Sequence, residues 1–434
     1  MAERFDVVIV GAGPAGATAA LVAARAGLSV CLLERGPFPG SKNMYGGVIY
    51  GRILDQVLPG WFDEAPVQRW ITRRSTMVTT DDQALTIDFR NGAWSRAPYN
   101  GATAFRADFD GWLAGKAEEA GATLVCATTA TGLLRGGDGR VVGVRTDRPD
   151  GDIEAGLVIA ADGVNSFLAK EAGLYPHFSA EHITLGAKEV LHLGRDEIDR
   201  RFGLRDLEGL DIEMLGCTQG IAGGGFLYTN LESIAVGVVL SVTGLARSGL
   251  RPEQVIAGMK QHPAIAPYVE GGELVEYSAH LIPEGGYRVM AELAGDGLLV
   301  TGDAAGLCLA AGLWLEGVNF AIGSGLAAAQ TAVEALAAGD TSAAGLAGYR
   351  RRLERSFVLQ DHRKLRRAPD LLLSDRVQRL YPQLTCDVAE GIFTVENPSR
   401  KRGLARVALD AVRRSPVRVR DLARDSLTML RSYG

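Results

Sequence analysis

The sequence predicts an α/β fold with an α+β second domain and a helical C-terminal region. Three observations predict it. The chain opens on Phe5-Asp6-Val7-Val8-Ile9-Val10-Gly11-Ala12-Gly13-Pro14-Ala15-Gly16, an apolar β-branched run that breaks into Gly-x-Gly-x-x-Gly and enters an Ala-rich stretch. Apolar strand patterns ending in an acid beside glycine return at residues 157–163 and 297–306. Between them, residues 180–290 carry recurrent strand-like runs.

The opening run reads as a strand because β-branched side chains suit a pleated surface covered on both faces. Gly11 then allows the tight turn, Gly13 a close approach of backbone to a pyrophosphate, and Gly16 close packing of helix on strand. Free N–H groups at the helix start favour phosphate by up to about 2 kcal/mol. A second strand, residues 29–33, ends at Glu34. An acid about 20 residues past the glycines is placed to accept hydrogen bonds from ribose hydroxyls. Strand, helix, second strand and acid in register make this a Rossmann-like dinucleotide-binding unit.

Composition limits the rest. The 434 residues allow two or three domains. A net charge of −5 gives no global signal for nucleic acid. From Arg350 onward, however, there are 20 Lys+Arg against 10 Asp+Glu, while the preceding residues carry 26 against 41. The tail is a basic appendage on an acidic body, suited to an anionic partner, a membrane surface or a solvated helical face. Cys31, Cys126, Cys217, Cys308 and Cys386 are scattered and odd in number, which reads as reduced thiols in a cytoplasmic protein. With no Cys-x-x-Cys, the usual spacing for an iron–sulfur cluster is missing, and no metal site is expected. The apolar stretch 298–338 contains Asp303, Glu316 and Glu334, so it reads as core and not as a membrane span.

Along the chain, Pro37-Phe38-Pro39-Gly40 stops any element, and a polar loop with Lys42, Asn43, Gly46 and Gly47 follows. Residues 75–90 suggest strands outside the nucleotide unit. A helix is expected over 112–120 with Asp108 as its cap, then a strand over 122–127 and a hairpin strand at 140–144. In the 180–290 interval only one clear helix, 252–260, interrupts the strands, predicting a largely antiparallel inserted sheet. Residues 317–339 form a small-residue helix. The tail looks helical, with breaks at Pro369, Pro382, Pro398 and Pro416.

This set of motifs resembles the FAD-dependent glutathione-reductase-type superfamily in its hydroxylase-like branch. More narrowly, it resembles the FixC-type electron-transfer-flavoprotein:quinone oxidoreductases, which are related to geranylgeranyl reductases. The matching stretches include Glu34-Arg35-Gly36, Ser41-Lys42-Asn43, Phe105-Arg106-Ala107-Asp108-Phe109-Asp110, Ala161-Asp162-Gly163-Val164-Asn165-Ser166, residues 223–230 and 274–280, and Gly302-Asp303-Ala304-Ala305-Gly306; they span residues 1 to about 400.

The resemblance implies FAD as cofactor. Gly11, Gly13 and Gly16 would hold its pyrophosphate and Glu34 its adenosine ribose, with Pro14, Ala15, Arg35 and Ala130 also among the cofactor-binding residues. Lys42, Asn43, Gly46, Gly47 and Arg106 would approach the cofactor from the polar loop and the next helix. Asp162, Gly163, Gly302 and Asp303 would line the ribityl and pyrophosphate region. The helix opening at Gly317, Val318 and Asn319 would face the flavin pyrimidine edge, where a helix N-terminus stabilises negative charge. Gly224, Gly225 and Tyr228 would lie on the quinone side, in a segment that reads equally well as a structural hairpin. His280 reads as a structural histidine more readily than as a proton donor.

The implied domains are a discontinuous FAD-binding domain (1–75, 100–165 and 291–345), a substrate- or quinone-side β-sheet domain (76–99 and 166–290) and the basic helical region 346–434. The implied activity takes electrons from a reduced electron transfer flavoprotein and passes them to quinone, as part of a multi-subunit, bifurcating complex associated with nitrogen fixation. The ferredoxin-like iron–sulfur module would be a separate protein, with the basic tail docking it or touching the cytoplasmic face of a membrane. The alternative is a geranylgeranyl-reductase-like or aromatic-hydroxylase-like enzyme that uses NAD(P)H on an apolar substrate. A third reading is a flavin-bound subunit that only holds its partners together. The fold alone does not separate them.

Overall fold

The structure, a computed structural model, describes residues 3–41, 47–312 and 315–433. Its first sheet is parallel at the centre, in the order Ala294–Gly295, Leu298–Val300, Ile153–Ala160, Glu3–Val10, Val30–Leu33, Thr123–Val125. The hairpin Ala130–Arg135/Val141–Thr146 attaches antiparallel to the strand Ile153–Ala160. Val7, Val8, Ile9, Leu157, Val158, Ile159 and Leu299 are fully enclosed. Both faces of this sheet are covered, which is why these strands read as continuous apolar runs.

The helix Pro14–Arg25 follows the glycine turn, and the helix Val318–Ala338 packs beside it. The contact is backbone-close. A Cβ added at Gly325 would overlap the carbonyl of Ala15, and one at Gly16 would overlap that of Gly11. The second helix is long and apolar enough to cross a membrane, yet most of it is buried inside the protein, as a core helix.

The second sheet runs Glu273–Pro283, Ile183–His192, Ser233–Ser241, Gly223–Thr229, Glu208–Leu215, Val67–Thr79, Ala102–Ala104, Val48–Ile49, with Ala84–Arg90 paired to Val67–Thr79. The sheet is largely antiparallel, as expected, with one parallel pair, Glu208–Leu215 beside Val67–Thr79. Other expectations are corrected here. The strand Val67–Thr79 crosses the expected boundary at 75/76, and Ala102–Ala104 and Val48–Ile49 also pair into this sheet and not the first. Short helices Arg195–Phe202 and Val242–Ser248 join Pro252–Lys260 in covering it. The helix expected at 112–120 begins earlier, at Arg106, so Asp108 lies in its first turn and Phe105 takes the cap position.

In the tail, Pro369 and Pro382 sit in the first turns of Ala368–Leu372 and Tyr381–Phe393 and do not break a helix. For Pro369 the missing N–H would have had no helical acceptor, whereas Pro382 follows directly on the helical turn Arg376–Leu380 and the chain stays helical through it. Pro398 and Pro416 do fall between helices, before Leu404–Arg414 and Val419–Tyr433. All five cysteines are free. Burial pushes the Cys31 and Cys217 thiols up to about 12, which makes them unreactive.

Candidate functional site

Three neighbouring parallel strands end level with one another. Val10 is paired with Ala160, and Ala160 with Val300. Beyond those ends stand Gly11, then Ala161-Asp162-Gly163, then Thr301-Gly302-Asp303. Signals about 150 residues apart in sequence therefore meet at the carboxyl edge of one sheet, where open α/β sheets bind their ligands.

A cavity of about 240 Å³ lies there. Of the expected residues, Gly13, Pro14, Ala15, Gly47, Arg106, Gly163, Tyr228, Asp303, Gly317 and Val318 line it. Gly13 caps the first helix with no side chain over its N–H groups, and Gly317 does the same for Val318–Ala338. A Cβ at Gly13 would point into open space, whereas Gly11 is closed in by Ala161 and holds φ +102°. Arg106 is buried and makes two 2.8 Å hydrogen bonds to Asp110, one turn along its helix. Burial raises the Asp303 carboxyl above its ordinary range, opposed by His280 and Arg106.

Other expected residues stand behind this lining. Gly16 and Gly302 serve the packing of helix and turn; a Cβ at Gly302 would come within 2.9 Å of Ala15 Cβ. The Glu34 carboxylate accepts hydrogen bonds from the Ala12 N–H (3.1 Å) and the Gly36 N–H (2.6 Å), so it already holds the turn. Arg35 is exposed next to it, and Ala130 opens the hairpin strand. Asp162 accepts from the Leu168 N–H at 3.4 Å. Asn319 donates to Glu316 at 2.5 Å. Lys42, Asn43 and Gly46 lie outside the described residues. Gly224 and Gly225 line a different space.

That space is a second cavity, of about 680 Å³ and almost wholly apolar. Met214, Gly224, Gly225, Phe226 and Val239 form its sheet side; Leu372, Leu373, Val377, Met429, Leu430 and Tyr433 form its helical side. Phe226, Glu213 and Leu315 belong to both linings, so the two cavities adjoin there.

At that junction is a group the sequence reading missed. Asp211 and Glu213 alternate on one face of the strand Glu208–Leu215, and the neighbouring strand brings Arg74 opposite Asp211. Arg74 stands 2.6 Å from Glu213 and 3.6 Å from Asp211. Its guanidinium also lies 5.8 Å from the centre of the Tyr50 ring. Burial pushes Asp211 up to about 6 against the pull of Arg74. Burial and the Asp211 charge push Glu213 up to about 8. Glu316 faces the same cavity and is also raised by burial. The alternation Asp211-Ile212-Glu213 within an apolar strand was the available sequence signal.

The residues fit a dinucleotide. Two bare helix N-termini face one cavity, Gly13 leaves room for a phosphate, and Asp162 Oδ1 and Asn319 Oδ1 are buried without a hydrogen-bond partner among the described residues. Among the described residues no cluster suits a metal ion.

Comparison with known proteins agrees with the geometry. Residues 6–190 match the family model of FAD dependent oxidoreductases. The protein FixC of Salmonella typhi is 41% identical over 406 residues, covering 92% of this chain and 94% of the relative. The probable electron transfer flavoprotein-quinone oxidoreductase YdiS of Escherichia coli K12 is 40% identical over 395 residues, covering 91% of each. Among solved structures, a geranylgeranyl bacteriochlorophyll reductase-like protein of Thermoplasma acidophilum superposes with TM-score 0.74 at 22% identity, over 98% of this chain and 100% of that one. The myxobacterial FAD-dependent halogenase CndH gives 0.64 at 19% identity, over 99% and 91%. These two show the fold alone.

Proposed function

The chain belongs to the FixC family of FAD-dependent oxidoreductases, and on that premise we propose that it takes electrons from a reduced electron transfer flavoprotein and passes them through FAD to a quinone. The observation that carries this reading is the pair of adjoining cavities. The first combines two helix N-termini and the charged groups Arg106 and Asp303 with apolar walls, the mixture a flavin dinucleotide needs. The second is apolar, and its volume of about 680 Å³ falls in the range of about 300–1,000 Å³ common for small-molecule sites. Met429 and Leu430 line it and remain exposed at 51% and 69%, which gives an apolar acceptor a way in.

FAD, when bound, supplies two-electron storage. The chain's residues do the rest. Gly11, Gly13 and Gly16 shape the phosphate turn. The two helix N-termini offer N–H groups to the pyrophosphate and to the flavin's anionic edge. Glu34 keeps the turn in place and presents its edge to the ribose. Asp303 and Arg106 border the ribityl region. Phe226, which belongs to both linings, stacks on Tyr228 of the flavin side with ring centroids 5.7 Å apart.

The same reading gives the arginine-rich C-terminal helices a docking role. Leu404, Leu409, Val419 and Leu427 are exposed beside their arginines, a pattern that suits the cytoplasmic face of an anionic membrane. A separate ferredoxin-like protein, within a bifurcating complex, is the further partner this reading assigns. The test is anaerobic absorbance of the flavoprotein mixed with its reduced electron transfer flavoprotein and then with a quinone analogue. Bleaching followed by reoxidation is expected. Bleaching only by NAD(P)H with an apolar substrate would replace this reading with a reductase or hydroxylase.

A further inference from the structure

We propose that Asp211 and Glu213, held by Arg74, are a shared proton store that protonates the electron acceptor where the two cavities meet. The inference deepens the quinone reading and rests on it. Its ground is placement. Asp211 and Glu213 project from one face of one strand, and their Cα atoms lie opposite Arg74 and Thr76 of the neighbouring strand. Asp211 faces the flavin-side cavity, and Glu213 faces both. Asp211 is 5% exposed.

Two carboxylates share one guanidinium in this enclosure. Tyr50, Tyr228, Glu316, His280, Arg106 and Asp303 line the same cavity. Among the described residues next to the acids, Arg74 alone brings them positive charge, and Glu316 adds negative charge. Ionising both acids would leave a buried charge without compensation, so the pair keeps one proton at neutral pH, and that proton belongs to the pair and not to either residue. Arg74 is a positioning residue: it orients Glu213 through the 2.6 Å contact and holds the second carboxylate once the proton has gone.

The step balances. A quinone that becomes a hydroquinone gains two electrons and two protons. Both electrons and one proton come from the reduced flavin. The second proton comes from the pair: a carboxyl O–H breaks and a hydroquinone O–H forms. The carboxylate left behind is reprotonated from solvent through the cavity mouth.

Glu213→Gln and Asp211→Asn, each in the full-length FAD-loaded protein, test this. Quinone-analogue reduction should fall by about a hundredfold or more relative to reduction of ferricenium, which takes electrons without protons. Glu213→Asp should restore part of that ratio. The second readout needs neither flavin turnover nor quinone. An acid whose value is raised on folding binds more protons folded than unfolded, so it costs stability as pH rises from its ordinary range through its folded value. The wild-type chain should therefore lose stability relative to each variant as pH is taken from about 5 to about 8. A quinone-to-ferricenium ratio unchanged in both variants overturns the donor role. A pH-independent stability difference overturns the proton store itself. A wild type that reduces ferricenium but no quinone breaks the quinone reading, and the pH profile alone then decides the store.

Discussion

The helix Pro14–Arg25 and the helix Val419–Tyr433 each wall a cavity, and they are held by different means. Ten residues of the first are buried, most of them alanine or glycine, and its neighbours approach at backbone distance. The second buries only Asp425 and Ser432. It is fastened by polar groups: Asp425 accepts from Arg376 at 2.6 and 2.8 Å and from the Tyr381 hydroxyl at 2.5 Å, and the Tyr433 hydroxyl donates to the Ala311 carbonyl at 2.8 Å. A wall made of close-packed backbone cannot yield without breaking the core. A wall held by a few side-chain hydrogen bonds can. The dinucleotide end is thus built to be fixed, and the apolar chamber to be adjustable.

The largest expected effect tests the fixed wall. Gly16→Val puts a side chain into the Gly11 carbonyl, a clash with backbone that exceeds the ordinary overpacking cost of about 1–3 kcal/mol. Cooperative thermal unfolding of the purified variant should be lost. Gly13→Val comes next and separates site from scaffold. Its Cβ enters open space and its φ of −74° suits any residue, so the chain should fold. Flavin content, read by absorbance, should nevertheless be close to nil. Full flavin in this variant would remove the phosphate site from the glycine turn.

Glu34→Gln is smaller. One of the two backbone donors loses its acceptor, which costs about 1–3 kcal/mol in chemical denaturation. A loss confined to flavin affinity would show that the carboxylate serves the ribose and not the turn. The smallest effect concerns the adjustable wall. Hydrogen bonds from Arg376 and Tyr381 hold the Asp425 carboxyl below its ordinary range. Its contribution is therefore complete above that range and is lost as pH falls through the lowered value. Hydrogen exchange, corrected for intrinsic rates, should quicken over Val419–Tyr433 in acid while Pro14–Arg25 stays protected. Asp425→Asn should reproduce the difference at neutral pH.

Legibility followed the same division. The glycine turn was readable because each of its requirements is local: Gly11 needs a positive φ, and Gly16 must face a backbone five residues back. The three strand ends were readable because the first carries the glycine fingerprint and each of the other two an acid beside glycine. The start of the helix at Arg106 was not, since Asp108 has the chemistry of a cap and only the geometry reveals that Phe105 occupies that position. The second sheet was harder. Val67–Thr79 reads as two things at once, and its parallel pairing with Glu208–Leu215 depends on a long crossover that no local pattern announces. Arg74, Asp211 and Glu213 were missed for that reason: their meeting is a fact of register between distant strands.

The close seat of Val318–Ala338 against Pro14–Arg25 has a consequence for biogenesis. The glycine turn leaves the ribosome some 300 residues ahead of its covering helix and the Leu298–Val300 strand. Domains made early in synthesis usually fold as they emerge. Here the nascent N-terminal strands must wait, with apolar faces uncovered, until most of the polypeptide has been made. Closure over so long a loop is slow by its topology, so flavin loading follows translation and the interval before it is the one in which chaperones would bind.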